Sequence, residues 1–122
     1  MAWKVEGTDE FAQWYRGLDE RDQDLIDAVV DRLAASGPTL GRPFVDTIEG
    51  SSIRNLKELR TRAATGGQLR VLFVFDPRRT AILLLGGNKA GQWRAWYERN
   101  IPLAEELYAI YLRELRKEGL IE

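Results

Sequence analysis

The sequence predicts an α+β fold, in which an antiparallel sheet packs against a helical hairpin and a C-terminal helix. Three observations lead to this. Two segments before residue 38 and one after residue 100 repeat apolar residues at helical spacing. Three apolar segments at residues 56–62, 69–75 and 80–85 read as strands. Short turns separate these strands, so they form an antiparallel meander. With 122 residues, the chain is expected to form one domain over residues 1–122.

The first third of the chain predicts a strand followed by two helices. Residues 3–6 alternate apolar and polar side chains, as a short strand does. Thr8 or Asp9 can cap the first helix, and a break follows at Gly17 or Asp19. The second helix is expected to stop at Ser36-Gly37-Pro38. Two helices joined this closely indicate an antiparallel hairpin.

The rest of the chain predicts a long connector, the meander and a last helix. Residues 38–55 form a connector long enough to be functional or to contain a short hidden strand. The third strand of the meander is expected to end at Gly86, with residues 88–100 irregular. Asn100, with Pro102 in the first turn, is expected to begin the last helix. The predicted order is β-α-α-β-β-β-α, with the helices on one sheet face.

Composition excludes several kinds of chemistry. The chain has no cysteine and no histidine, which removes disulfides, thiolates and the commonest general base and metal ligand. We therefore expect no metal site and no cofactor, and any catalysis must use Arg, Lys, Tyr, Asp or Glu. The N-terminus shows no signal peptide, and the apolar run at residues 81–85 is too short to cross a bilayer. A cytoplasmic protein without membrane contact is expected.

The net charge of −1 conceals a strong asymmetry along the chain. Residues 1–36 carry a net charge of −5, residues 37–100 carry +6, and residues 101–122 carry −2. The basic middle block is the part that could face a polyanion, although a solvated basic sheet edge is the alternative.

Alternation along the strands groups three charged residues of this block. Glu58, Arg60 and Arg62 point to one side of the strand at residues 56–62. In the next strand Phe73 and Phe75 form one face, which should meet the helices, and Arg70 lies on the other. Arg70 should therefore lie beside Arg60 on the open side of the sheet. Glu58, Arg60 and Arg70 are then either a cross-strand ion-pair set on a solvated face or a functional cluster.

Several segments form an ordered set of sequence motifs along the chain. Asn55-Leu56-Lys57-Glu58-Leu59-Arg60, Leu69-Arg70-Val71-Leu72-Phe73 and the segment from Ile82 to Lys89 resemble the three strands of HigB-like (phage Gp49-like) members of the RelE/ParE superfamily. Trp96-Tyr97-Glu98-Arg99, followed by Ile101-Pro102-Leu103-Ala104, is similar to one subgroup. The chain departs from the pattern in lacking histidine, in its pI of about 5.6 and in its single Lys89.

The resemblance implies the toxin of a type II toxin-antitoxin system. It implies metal-independent cleavage of mRNA in the ribosomal A site, in which the RNA 2′-OH attacks the adjacent phosphate. The implied partners are the ribosome, mRNA and a cognate antitoxin of helix-turn-helix type, with operator DNA bound only through the antitoxin. The alternatives are a ParE-like poison of DNA gyrase without nuclease activity, or a degenerate toxin that only binds its antitoxin in a regulatory role.

The reaction needs a base, an acid and cations that stabilise the phosphorane. Arginine binds phosphate in a bidentate fashion, which suits Arg60 and Arg70. Glu58 is the candidate base or the residue that orients Arg60, and the other candidates for proton transfer are Lys89, Lys57 and Tyr97. The predicted RNA-binding residues are the surrounding basic and aromatic ones: Arg54, Lys57, Arg62, Arg78, Arg79, Trp93 and Arg94. Trp93, Trp96 and Tyr97 either stack on bases or anchor the last helix.

Overall fold

The computed structural model describes residues 2–89 and 91–122 and contains a five-stranded sheet with three helices. The elements in chain order are β1 (Val5–Gly7), α1 (Asp9–Arg16), α2 (Glu20–Ser36), a 3-10 turn (Gly37–Thr39), β2 (Val45–Thr47), β3 (Lys57–Arg62), β4 (Gln68–Phe75), β5 (Ala81–Lys89) and α3 (Trp93–Lys117). In the sheet, the strands lie in the order β1-β5-β4-β3-β2. Among these described strands only the β1–β5 pair is parallel, and β3, β4 and β5 pair antiparallel, which confirms the predicted meander. Helices α1 and α2 follow each other across a short break, which confirms the predicted helical hairpin.

The start of the hairpin follows from local capping. The Thr8 side chain accepts a hydrogen bond from the Phe11 backbone N–H at 3.0 Å, and the Asp19 carboxylate accepts one from the Asp22 N–H at 2.9 Å. Each cap satisfies a backbone donor that a helix N-terminus leaves free. The second helix ends before Gly37, whose φ of 60° suits glycine, as the Gly-Pro pair predicted.

The helices pack on both faces of the sheet, and the expectation that they share one face was wrong. Leu69, Val71 and Phe73 of β4 belong to the core under α1 and α2, whereas Leu72 and Val74 belong to the core under α3. Both sets are buried. A strand with two apolar faces needs cover on both sides, which explains the two helical layers.

The last helix begins at Trp93, not at Asn100. The Asn100 side chain donates to the Trp96 backbone carbonyl at 2.8 Å, inside the helix, and does not cap it. Pro102 removes a donor that would serve the Glu98 carbonyl four residues earlier. Glu98 is exposed, so water can bind that carbonyl. Burial of Trp96 in the core stabilises the first turn of the helix, before Pro102.

The last strand continues to Lys89 and does not end at Gly86. A Cβ on Gly86 would lie 2.2 Å from the Trp14 ring, and one on Gly87 would lie 2.5 Å from the Trp96 ring. Glycine is required at both positions, because an indole ring packs directly against the strand backbone on each face of the sheet.

The connector contains β2, the hidden strand that its length suggested, and β2 forms the sheet edge beside β3. Within residues 2–89 and 91–122, no helix combines the length and apolar character needed to cross a bilayer.

Candidate functional site

A buried carboxylate lies at the centre of the predicted charged cluster. The side chain of Glu58 is 0% exposed, and its Oε2 accepts a hydrogen bond from Arg60 Nε at 2.8 Å. Its Oε1 accepts one from the Tyr97 hydroxyl and lies 3.7 Å from Arg70 Nη1. Burial of a carboxylate is costly without hydrogen-bond donors; here Arg60 and Tyr97 supply one donor to each oxygen, and the charge of Arg70 lies nearby.

The Arg70 guanidinium is held on three sides. Its Nη1 donates to the Tyr97 hydroxyl, and its Nε and Nη2 donate to Gln68 Oε1 at 2.9 and 2.6 Å. The guanidinium carbon lies 4.3 Å from the centroid of the Trp93 ring, in a cation–π contact. This arrangement fixes the position of a cation that is 15% exposed.

Strand register brings the arginines together as alternation predicted. Arg60 of β3 and Arg70 of β4 are direct cross-strand partners, and Glu58 lies opposite Leu72. The cluster does not lie on an open sheet face, however, since Trp93 and Tyr97 of α3 lie over it. The expectation of an open face was wrong because a third helix covers this side of the sheet.

The connector adds two charged residues that the sequence interpretation missed. In β2, Asp46 lies opposite Glu58, and its Oδ2 is 3.5 Å from Arg60 and 3.1 Å from Arg42. Arg42, Asp46, Arg60, Glu58 and Arg70 thus form a row of alternating charge from the sheet edge to its middle. The length of the connector was the only signal that pointed to this segment. Gln68, also missed, shares the strand face of Arg70 by alternation.

The electrostatics of the cluster keep the Tyr97 hydroxyl neutral and the Arg60 guanidinium charged. Burial raises the pKa of Tyr97, and its hydrogen bond to Glu58 raises it further. Burial acts to lower the pKa of Arg60, but the hydrogen bond and charge of Glu58 outweigh it, so the pKa of Arg60 is raised. A hydrogen bond from the Thr47 backbone lowers the pKa of Asp46. The site therefore offers a neutral phenol and two fixed cations.

Among the predicted RNA-binding residues, Trp93 and Arg62 lie at the cluster. Trp93 stacks under Arg70, and Arg62 lines an open groove beside Arg60. Arg94 is 94% exposed and lies 3.4 Å from Glu98 one helical turn later, on the outer side of α3.

The structure does not bring Lys57 and Arg54 to the cluster. Lys57 shares the strand parity of Leu59, which packs under α2, so it lies on the other sheet face. Arg54 lies in the turn before β3, at the strand end away from Arg62. Both residues therefore lie apart from the charged cluster, and their predicted RNA-binding role stays a prediction.

Arg78 and Arg79 also lie away from the cluster, in the turn between β4 and β5. Five residues of strand, about 17 Å, separate Arg70 from the end of β4. Arg78 pairs there with Asp76 at 2.9 Å and with Glu6 at 3.5 Å. The Arg79 guanidinium lies 5.6 Å from the Trp3 ring centroid. The turn that follows β4 therefore separates both arginines from the predicted site.

Lys89 is the last residue of β5, where its backbone is the register partner of Gln68. Its side chain lies outside the part of the chain that the structure describes, so its predicted catalytic role stays a prediction.

Residues 13–109 match the family model described as phage derived protein Gp49-like (DUF891). HigB2 of Mycobacterium tuberculosis, which carries a toxin name, is 40% identical over 114 residues, covering 93% of this chain. This chain spans only 56% of that relative's length. HigB3 of the same organism, also named as a toxin, is 47% identical over 94 residues, covering 77% of this chain and 80% of the relative.

Two solved structures share the fold at low sequence identity. RelE in the archaeal RelE–RelB complex of Pyrococcus horikoshii OT3 has a TM-score of 0.57 at 18% identity, covering 75% of this chain and 99% of that one. A free E. coli RelE variant, with two arginines replaced by alanine, has a TM-score of 0.56 at 11% identity, covering 94% of this chain and 99% of that one. The match over residues 13–109, together with the HigB relatives, shows that the chain belongs to the phage-derived Gp49-like family with HigB-like members, and the two solved structures show that it has a RelE-like fold.

Proposed function

We propose that this chain is the toxin of a type II toxin-antitoxin system and cleaves mRNA on the ribosome. The HigB relatives and the RelE-like fold support the first part. The observation that carries the second is the pair of neighbouring arginines, Arg60 and Arg70, fixed on the buried Glu58. Guanidinium groups held in fixed positions suit an RNA phosphate, because they need not move as negative charge develops on the phosphate oxygens during cleavage.

The arginines take the role of stabilising the phosphorane. Each guanidinium has five N–H donors, and Arg60 commits its Nε to Glu58 while its side chain is 31% exposed. The row of alternating charge has three arginines and two carboxylates, which leaves a net positive charge near Trp93, whose ring can also contact a base. A phosphate bound here gains charge-assisted hydrogen bonds as its oxygens become more negative.

Tyr97 and Glu58 take the role of the base in this proposal. Both Glu58 oxygens are engaged and the side chain is fully buried, so the carboxylate acts through the Tyr97 hydroxyl and not on RNA directly. The 2′-OH proton passes to the Tyr97 oxygen while the Tyr97 proton passes to Glu58. The 2′ oxygen then bonds to phosphorus, and the P–O5′ bond breaks. The 5′ oxygen takes a proton from an acid, the role for which Lys89 stays a prediction.

The partners follow from the same proposal. The ribosome and its mRNA are the substrate complex, which places the activity in the cytoplasm, and no bound metal or cofactor is required. A cognate antitoxin is the expected inhibitor, which the complex of a RelE neighbour with RelB supports. Operator DNA would be bound only through an antitoxin of helix-turn-helix type.

Primer extension on cellular mRNA after brief induction tests the proposal. The wild-type chain should produce new 5′ ends within translated codons, and Arg70→Ala should abolish them because the phosphate loses a fixed cation. Arg113→Ala is the matched control, since this exposed arginine lies on α3 at residue 113, far along the helix from Tyr97. Growth arrest with intact mRNA would contradict the nuclease assignment, and a gyrase supercoiling assay would then test the ParE-like alternative.

A further inference from the structure

An open groove of about 570 Å³ lies directly beside the charged cluster. Its lining includes Arg42, Phe44, Arg60, Arg62 and Gln68. Three of these side chains are arginines, and Asp46 adds a carboxylate to the lining. Glu58, Tyr97, Arg70 and Trp93 do not line the groove, whereas Arg60 belongs to both the groove and the cluster.

The cations of the groove are available to a ligand. The Arg42 side chain is 79% exposed, and its contact is an ion pair with Asp46 at 3.1 Å. Exposed ion pairs of this kind contribute little, so a phosphate can take the place of the carboxylate on Arg42 at small cost. Arg62 is exposed as well and follows Arg60 on the same strand face, about 6.6 Å further along by strand rise. That separation is of the order of the distance between neighbouring phosphates of an extended RNA strand.

The groove also offers apolar surface next to the cations. Pro43 and Phe44 lie in its wall, and Phe44 is half-buried against the core under α2. Arg32 stacks over the Phe44 ring at 4.4 Å from its centroid, which holds the ring in place. Because Arg32 covers a face of this ring, Pro43 and the rest of Phe44 form an apolar wall against which a base can pack by van der Waals contact.

We propose that this groove binds the nucleotide adjacent to the scissile phosphate, with Arg42 and Arg62 on its phosphate and Pro43 and Phe44 against its base. This inference rests on the proposed function, because it takes Arg60 and Arg70 as the site of the reacting phosphate. The shared Arg60 makes groove and cluster one continuous track for a single strand of RNA.

The test uses ribosomes programmed with a defined mRNA codon and the full chain. Cleavage rate is measured against toxin concentration for the wild type, for Arg42→Ala/Arg62→Ala and for the Arg113→Ala control. The double variant should need about tenfold more protein for half-maximal cleavage, with a similar maximal rate. The salt dependence of that concentration should weaken by about 0.7 in logarithmic slope for each phosphate that the variant no longer binds. Both substituted arginines are exposed, so thermal unfolding should change little.

A second measurement changes the RNA in place of the protein. A neutral methylphosphonate replaces, one at a time, each phosphate flanking the scissile one. One of the two methylphosphonate substitutions should weaken cleavage by the wild type about tenfold. The same substitution should change cleavage by the double variant by less than about twofold relative to unmodified RNA, because the arginines that bind this phosphate are already absent there. An equal effect of each substitution on both proteins would overturn the proposal.

The outcomes separate this inference from the function on which it rests. No cleavage by the wild type would refute the nuclease assignment and the groove proposal together. Cleavage by the wild type, matched by the double variant at every salt concentration, would overturn the groove proposal alone and favour a protein segment as the occupant of the groove.

Discussion

Glu58 shows how a single side chain can change from a surface charge to the centre of a network. Alternation placed it beside Arg60, and the tertiary structure then buried it completely under Tyr97. A buried carboxylate is tolerated when every oxygen has a donor, and breaking such a set is costly. A carboxylate without solvent access can act only through its neighbours, which is the role that the proposed relay through Tyr97 gives to Glu58.

Tyr97→Phe tests that role at the level of one hydroxyl group. We expect cleavage of programmed ribosomes to fall by about 100-fold or more, because the substitution removes the group that takes up the 2′-OH proton. The free energy of unfolding should fall by at least about 1–3 kcal/mol, because the substitution leaves the buried Glu58 Oε1 without its hydrogen-bond donor. Single-turnover cleavage and urea unfolding measure the two quantities. Cleavage within about twofold of the wild type would rule out the Tyr97–Glu58 relay.

At the scale of elements, the packing of α3 on β5 positions the site. Gly87 of β5 is the register partner of Arg70, and the Trp96 ring of α3 packs where a Cβ on Gly87 would lie. Trp93 and Tyr97 lie on the same turns of the helix as Trp96. The separation between this strand and this helix therefore sets the distance from Tyr97 to Glu58.

Gly87→Ala is expected to impair both stability and cleavage. The new Cβ would meet Trp96 Nε1 at 2.5 Å, so the start of α3 must move outward. Overpacking of this kind costs about 1–3 kcal/mol in the free energy of unfolding, and displacement of Tyr97 should lower the cleavage rate. Gly41→Ala is the matched control, because nothing lies within 4 Å of a Cβ there, and it should change stability by less than about 0.5 kcal/mol. Equal stability of the two variants would contradict this account.

At the scale of the whole molecule, two similar networks fasten α3 to the sheet. Tyr97 meets Glu58 and Arg70 near the start of the helix, and Tyr111 donates to Glu6 and accepts from Arg78 Nη2 at 3.2 Å fourteen residues later. Each network joins a tyrosine, a carboxylate and an arginine across the sheet–helix interface. The helix therefore has polar attachments at both ends of its contact with the sheet, with the apolar core between them.

The tyrosines predict a loss of stability at alkaline pH. The pKa values of all four are raised: a hydrogen bond to Asp27 is the main cause for Tyr15, and burial is the main cause for Tyr97, Tyr108 and Tyr111. The pKa of Tyr111 rises to about 12. The unfolded chain releases these protons near pH 10, whereas the folded chain retains them. The stabilisation is therefore complete below pH 10 and is lost as pH rises from about 10 towards 12.

Urea unfolding between pH 9 and pH 11 measures this loss. Tyr111→Phe should be less stable at pH 9, because it lacks the two hydrogen bonds, but its stability should fall less steeply with pH. An unchanged slope would mean that Tyr111 does not contribute to the alkaline loss.

The sequence by itself determined the order of the elements apart from β2, and the pairing of Arg60 with Arg70. Capping residues, helical spacing and alternation are local, and a strand's alternation holds whatever packs above it. A short turn between residues 62 and 68 makes the two strands antiparallel neighbours, and this was enough to predict that Arg60 lies beside Arg70.

Only the tertiary structure decided what covers the sheet and which residues join the cluster. Asn100 and Pro102 mimic a helix start locally, but burial of Trp96 extends the helix back to Trp93. Asp46 and Arg42 reach the cluster because a three-residue strand pairs at the edge, a contact distant in sequence. Burial and long-range pairing depend on the whole chain, and no local pattern contains them. They turned a pair of arginines into a site with a buried carboxylate and a fixed phenol.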